Sequence, residues 1–154
     1  MNARLLRWKF NLFPAYRGTG ARVTYIAADF REVRVRLPLS WRTRNAVGTI
    51  FGGSIYGAVD PIYMIMLMSI LGRDYVVWDK AATIRFRKPG RTTLQATFII
   101  DGAEIDAIRA ATAGGQAIDR TYKVDLVDDG GTVHASVEKV IYIRLLSAAA
   151  KPPL

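Results

Sequence analysis

The sequence contains no cysteine and a single histidine, His134. Without thiols there is no disulfide, no thiolate nucleophile and no cysteine metal ligand, and one histidine cannot build a clustered zinc site. No metal and no redox cofactor is therefore expected. A cysteine-free chain suits a reducing compartment, and the expected location is cytoplasmic. Long apolar runs are missing too. The longest, Pro61 to Gly72, falls short of the roughly 20 residues needed to cross a bilayer and has the length of a buried core helix. The basic start MNARLLRWKF is not followed by an apolar stretch or a small-residue cleavage site, so no export signal is expected. Acidic residues are scarce: 13 Asp and Glu face 22 Lys and Arg, a net charge of +9. That excess favours an anionic ligand, whether nucleic acid, anionic lipid or a phosphorylated small molecule. The charge is spread along the chain, so by itself it does not choose among them.

What is present fits one domain of 154 residues, 51% of them apolar, large enough to bury a core without staples. Apolar residues within Ala3 to Phe13 recur at mixed three- and four-residue spacing, which predicts a short helix with a broad apolar face, ended by Pro14. The expectation is a helix packed on the domain, favoured over the alternative of peripheral membrane association through the same helix. Strands are expected over Arg22 to Ala28 and Arg31 to Leu37, stopped by Pro38. A polar loop follows, and then a heavily apolar helix over 53–71 closed by Gly72. The rest is mostly strand: Tyr75 to Arg87, Thr92 to Ile100, Ala117 to Val127 and Thr132 to Leu145. A short helix, Ala103 to Ala113, is inserted between the second and third of these, with Asp101 and Glu104 in capping positions. In the last strand the alternation is read as shifting phase near Lys139, as a bulge would cause. One long helix cannot cover both faces of six strands. An antiparallel sheet wrapped around it satisfies the pattern and leaves an edge for a second subunit.

The segment Asn45 to Pro61, NAVGTIFGGSIYGAVDP, holds the residues with the most chemistry in them. Gly52 and Gly53 stand where loop becomes helix, and with no side chains they leave the helix N-terminal N–H groups open to a negative charge. That is the make-up of an oxyanion hole, or of a tight packing turn. Asp60 is the one acid between Glu32 and Asp74 and sits among apolar residues, where burial would raise its pKa unless it is hydrogen-bonded or used. Two readings of Asp60-Pro61 stand level. The pair can begin a helix, Asp as cap and Pro as first residue. Otherwise Pro61 lies inside a helix that began at Gly53 and kinks it, at a cost of about 3 kcal/mol. Elsewhere His134 is expected to be an exposed sheet residue. Gly18-Thr19-Gly20 lacks the rest of a nucleotide-binding fingerprint, and Met64, Met66 and Met68 are expected in the core. Arg85 and Arg87 share one side of their strand, but no nucleic-acid-binding signature accompanies them, so no specific nucleic acid is expected.

The spacing Asn45, Gly52, Asp60 resembles that of the hotdog superfamily. The likeness is to acyl-CoA thioesterases of the phenylacetate-pathway type and to a related branch known only as a domain of unknown function. Gly48-Thr49, the strand into Lys88-Pro89-Gly90-Arg91 and the final strand pair extend the likeness over nearly the whole chain. It implies an α+β hotdog fold as a single domain over 1–154, with an N-terminal helix in 1–13, a central helix at 53–71 and a short helix at 103–113. It further implies a homodimer, or a dimer of dimers, that hydrolyses acyl-CoA or another acyl thioester. Gly52 N–H would stabilise the oxyanion, Asp60 would reach across the dimer interface to attack or to activate water, and Asn45 would orient water or carboxylate. Gly53, Phe51 and Met64 would border the acyl group, and Arg87, Lys88 and Arg91 would hold coenzyme A phosphates. Phe51 and Met64 replace polar residues of active relatives, and Pro61 directly after the acid departs from them too. The alternative is thus a non-catalytic protein that binds an acyl or lipid ligand on the same scaffold.

Overall fold

In the computed structural model, which describes residues 2–146, the chain opens with helix α1, Ala3–Leu12, capped by the Asn2 carboxamide. Met1 and residues 147–154, included in the expected single domain, lie outside the described residues. Pro14 starts a short second helix, α2 (Pro14–Gly18), as suits a residue with fixed φ and no N–H to lose. Strands β1 (Arg22–Ile26) and β2 (Glu32–Leu37) follow, then helices α3 (Gly52–Val59) and α4 (Ile62–Leu71). The remainder is β3 (Tyr75–Phe86), β4 (Leu94–Ile99), helix α5 (Gly102–Thr112), β5 (Ala117–Val127) and β6 (Val133–Leu145). Asp101 caps α5 as expected, its carboxylate accepting from Glu104 N–H at 2.7 Å. Glu104 does not return the bond. It turns to the sheet, where Arg120 and Tyr122 hold it.

All six strands join one antiparallel sheet in the order β1-β2-β4-β5-β6-β3. It curls around α3 and α4, whose inner faces (Ile55, Ala58, Val59, Ile62, Met66, Leu67) meet Val35, Leu37, Phe98, Val137 and Ile141 in one buried cluster. Tyr63 stacks on Tyr122 at 4.8 Å and donates its hydroxyl proton to the Lys123 carbonyl, pinning α4 to the sheet. Strand β3, twelve residues long, is an outer edge with Trp78 and Phe86 exposed. An edge of that length with unpaired backbone groups is a template for another strand.

Three expectations are corrected. The helical stretch Gly52–Leu71 is 20 residues, long and apolar enough to cross a membrane by length and composition. The Pro61 to Gly72 run understated it, because the apolar helix extends through the proline, and half of it is buried inside the domain. The phase of β6 does not shift at Lys139: Ala135, Val137, Lys139, Ile141 and Ile143 are all buried in unbroken alternation. The extra residues lie elsewhere, at Lys80 of β3 and beside the start of β6 at His134, where the registers slip. Finally, His134 is buried. Its Nδ1 lies 3.1 Å from the Pro89 carbonyl and its Nε2 2.9 Å from the Asp128 carboxylate, so it ties two turns together.

Candidate functional site

Helix α3 begins at Gly52 after Phe51, with no side chain capping it. Its first amides are among the N–H groups a helix cannot bond to itself. A side chain at either glycine would crowd an exposed aromatic ring. A Cβ on Gly52 would come within 3.1 Å of the Phe86 ring, and one on Gly53 within 2.3 Å of the Phe51 ring. Phe51 itself is exposed. Gly52 borders a cavity of about 330 Å³ that also meets Asn45, Arg87 and Lys88. This end of the helix therefore gathers free N–H groups and two cations around one opening. The turn carrying the cations is fixed from below, since Arg87 and Lys88 N–H both donate to the His134 carbonyl, at 2.8 and 3.2 Å. Arg91, grouped with them in the sequence, is exposed and does not line this cavity. Asn45 is engaged in its own loop: its oxygen accepts from Val47 and Thr49 N–H, and its Nδ2 donates to the Thr49 hydroxyl at 2.9 Å.

Asp60 lies at the other end of α3. The helix runs into Asp60 with Asp60 N–H donating to the Tyr56 carbonyl, and resumes with Ile65 N–H donating to Pro61. Pro61 is thus a break inside one helical stretch, and Asp60 does not cap α4 with its side chain. Released from that duty, the carboxylate turns to the sheet, and Oδ1 accepts from Lys139 Nζ at 2.6 Å. Asp60 is neither deeply buried nor alone, contrary to expectation, for 41% of its side chain is exposed. It borders an apolar cavity of about 460 Å³ between α1, α2 and the helix break, walled by Leu6, Phe10, Phe13 and Ile65. Tyr16 fastens this wall, its buried hydroxyl donating to the Ala58 carbonyl at 3.0 Å. Gly57 allows the approach, since a Cβ there would lie 2.8 Å from Thr19 Cγ2. Met64, one turn on, packs partly buried against the core and does not line this cavity.

Lys139 is the residue that reading the sequence missed. It is 1% exposed, and its ammonium reaches two carboxylates and a phenol. Besides Asp60 it approaches Asp79 Oδ1 at 3.1 Å and the Tyr56 hydroxyl at 3.5 Å. Asp79 Oδ1 is off the hydrogen-bonding direction and otherwise unpartnered, so that contact is an ion pair. Burial pushes the Asp79 carboxyl above its ordinary range, and the ammonium only partly offsets this. For Lys139 burial pulls down, but Asp60 and Asp79 outweigh it and hold the amine above its ordinary value. Tyr56 is pushed up by burial and then by the neighbouring Asp60. The cluster is a fixed cation under a half-exposed carboxylate at the mouth of an apolar cavity. Strict alternation through Val137, Lys139 and Ile141 was the signal that a lysine points inward.

The chain divides the expected residues into two groups. Gly52, Asn45, Arg87 and Lys88 meet at the first turn of α3, while Asp60 and Lys139 meet beyond its last. Eight residues of helix at about 1.5 Å each separate the groups by roughly 12 Å. Among the described residues no group of three His, Cys, Asp or Glu side chains is placed to hold a metal.

The family described as "Domain of unknown function (DUF4442)" matches residues 2–143. No curated protein matches the sequence. Among solved structures the chain is similar to a Pseudomonas aeruginosa protein of unknown function described as "Probable Thioesterase". That pair is 19% identical with a TM-score of 0.82, over 94% of this chain and 97% of that one. It is similar to a thioesterase from Haemophilus influenzae, 13% identical with a TM-score of 0.71, over 96% of this chain and 94% of the other. A third is a glutamine-to-alanine mutant of a Pseudomonas aeruginosa thioesterase, 12% identical with a TM-score of 0.68, over 95% and 96% of the two chains. At such identities the likeness is one of fold, and the fold is the hotdog.

Proposed function

We propose that this chain, which belongs to the DUF4442 family, hydrolyses an acyl thioester such as acyl-CoA as a homodimer. The observation that carries the reading is the Asp60–Lys139 pair: a buried ammonium holding a carboxylate at the wall of an apolar cavity. A carboxylate held in that position can attack a thioester carbonyl or take a proton from water that attacks it. As the carbonyl carbon becomes tetrahedral, its oxygen gains negative charge, which a hydrogen bond donated by the Gly52 N–H would stabilise. Collapse breaks the C–S bond. When water attacks, the acid is released and the proton taken by Asp60 passes to the thiolate; when Asp60 attacks, the thiolate leaves a mixed anhydride that water then opens to the acid and the free carboxylate, its proton going to the thiolate. One carbonyl cannot touch both ends of α3 across roughly 12 Å. In this reading Asp60 of one protomer faces the Gly52 end of its partner, joined through the open edge of β3. Arg87, Lys88 and Arg91 would then hold the phosphates of coenzyme A, Asn45 would position water, and Phe51, Gly53 and Met64 would border the acyl group.

Free-thiol release should be measured across short, long and aromatic acyl-CoAs, with Asp60→Ala and Asp60→Asn alongside. Turnover that falls on the order of 10²–10⁴-fold in both variants, with the fold intact, supports a base or nucleophile. Full activity in Asp60→Asn would remove Asp60 from the chemistry. A second reading, ligand binding without turnover, is favoured by the engagement of Asn45 in its own loop. It predicts a rise in melting temperature with acyl ligands and no thiol release.

A further inference from the structure

Helix α1 carries apolar residues on two opposite faces. One face, Leu6 and Phe10, turns inward and lines the cavities beneath it. The other holds Leu5, Trp8 and Leu12, spaced three and four residues apart and so stacked along one side of the helix. They are exposed, Trp8 at 67%. The helix cannot turn to bury them. Arg7 Nη1 donates to the Thr24 carbonyl at 2.7 Å, and Asn11 bonds both the N–H and the carbonyl of Val23. The outward stripe is flanked by Arg4 on one side and Lys9 on the other, and no acid occurs before Asp29. The expectation of a helix packed on the domain therefore holds for one face only.

We propose that this outer face of α1 docks on an anionic lipid surface. An interfacial helix needs an apolar stripe with an aromatic residue to enter the acyl–headgroup boundary and long cationic side chains beside it to meet headgroups. Leu5, Trp8, Leu12, Arg4 and Lys9 supply both. A second copy fits the stripe less well. A two-fold contact would set the cationic flanks of one α1 against those of the other, with no acid on either helix. The free edge of β3 offers a second copy a better surface. Docked this way, the apolar cavity beneath α1 would lie close to the bilayer. The inference does not depend on the proposed hydrolysis.

The test is sedimentation of the full chain with phosphatidylcholine vesicles containing about a quarter phosphatidylglycerol, at low and high salt, with pure phosphatidylcholine alongside. The wild type should pellet with the anionic vesicles and much less with the neutral ones. Two variants, Leu5→Ser/Trp8→Ser/Leu12→Ser and Arg4→Glu/Lys9→Glu, should each lose about tenfold or more in partitioning. Both change exposed side chains, and an unaltered melting curve verifies each fold. In a Trp41→Phe/Trp78→Phe background, Trp8 fluorescence should shift to the blue on anionic vesicles. Equal binding by the serine variant would show charge acting from any face of a basic protein, and would overturn the proposal. So would a wild type that stays in solution at low salt. Self-association lost in the serine variant, without vesicle binding, would assign the stripe to a second copy and overturn it as well.

Discussion

Replacing Lys139 by methionine keeps the length of a side chain that is 1% exposed and deletes its charge. Asp79, one quarter exposed, then keeps a carboxylate beside apolar surroundings with no counter-ion, 

and Asp60 loses its 2.6 Å donor. Breaking a fully buried pair in this way costs about 3–5 kcal/mol. Asp60 is more than a third exposed, so its share is screened, and about 2–3 kcal/mol is expected at neutral pH. For a chain of this size that lowers Tm by roughly 5–10 °C. The sign of the pH dependence follows from Asp79. Its folded pKa is raised, so its stabilising contribution is complete below the unfolded carboxyl value and is lost as pH rises through the folded one. Without the ammonium that window widens. The penalty of Lys139→Met, measured by urea denaturation, should therefore shrink as pH falls from 7 and the Asp79 carboxylate protonates. Adding Asp60→Asn and Asp79→Asn should restore most of the loss, because a neutral cluster has no charge to leave stranded. A penalty below about 1 kcal/mol, or one that ignores pH, would refute the account of Lys139 as their counter-ion.

The alkaline limb is a separate test: with Lys139 held above its ordinary value, its contribution is complete below the unfolded lysine pKa and fades as pH rises past the folded one, a loss absent from Lys139→Met. Glu104 is held below its ordinary value, chiefly by the Arg120 guanidinium, so its contribution exists above the unfolded carboxyl value and disappears as pH falls through the folded one. Glu104→Gln should flatten that acid limb in denaturation curves taken between about pH 6 and 3. Gly20 has φ +82°, and a Cβ there would sit 2.2 Å from Thr43 Cγ2, so Gly20→Ala should cost more than about 1 kcal/mol by urea titration. Tyr16→Phe, which strands the Ala58 carbonyl, should cost about 1–3 kcal/mol by the same measurement.

The strands, the inserted helix α5 and the glycine pair at the start of α3 were legible because each leaves a local mark: alternation, a capping residue, a turn. Where the reading went astray, the deciding forces were tertiary. Asp60-Pro61 fits a helix start and a helix break equally well in one dimension. A lysine reaching from β6 settled it by claiming the carboxylate that a cap would have used. The same lysine was mistaken for a change of phase, since a cation in core register looked like an error in register. His134 reads as exposed from its polar type alone, yet it sits at a bulge whose carbonyl and ring hold the Arg87–Pro89 turn. Helix α1 has apolar residues on two sides, and spacing cannot say which side is inward. Arg7 and Asn11, gripping β1, decide that.

These tertiary effects converge on α3. Its N-terminal turn presents unbonded N–H groups beside Arg87 and Lys88, a surround that favours negative charge. Its far end presents a carboxylate that Lys139 neutralises from beneath while the outer edge stays exposed. A ligand anionic at one end and apolar at the other matches the first opening with its charge and the second with its chain. The openings lie roughly 12 Å apart along one helix, so within one chain a single carbonyl meets only one of them. Two chains related by a two-fold axis through β3 would set unlike ends side by side and make two equivalent sites. On the proposed reading, then, dimerisation assembles the site, and a β3-edge variant that dissociates the dimer should lose thiol release while Asp60 and Lys139 keep their pairing.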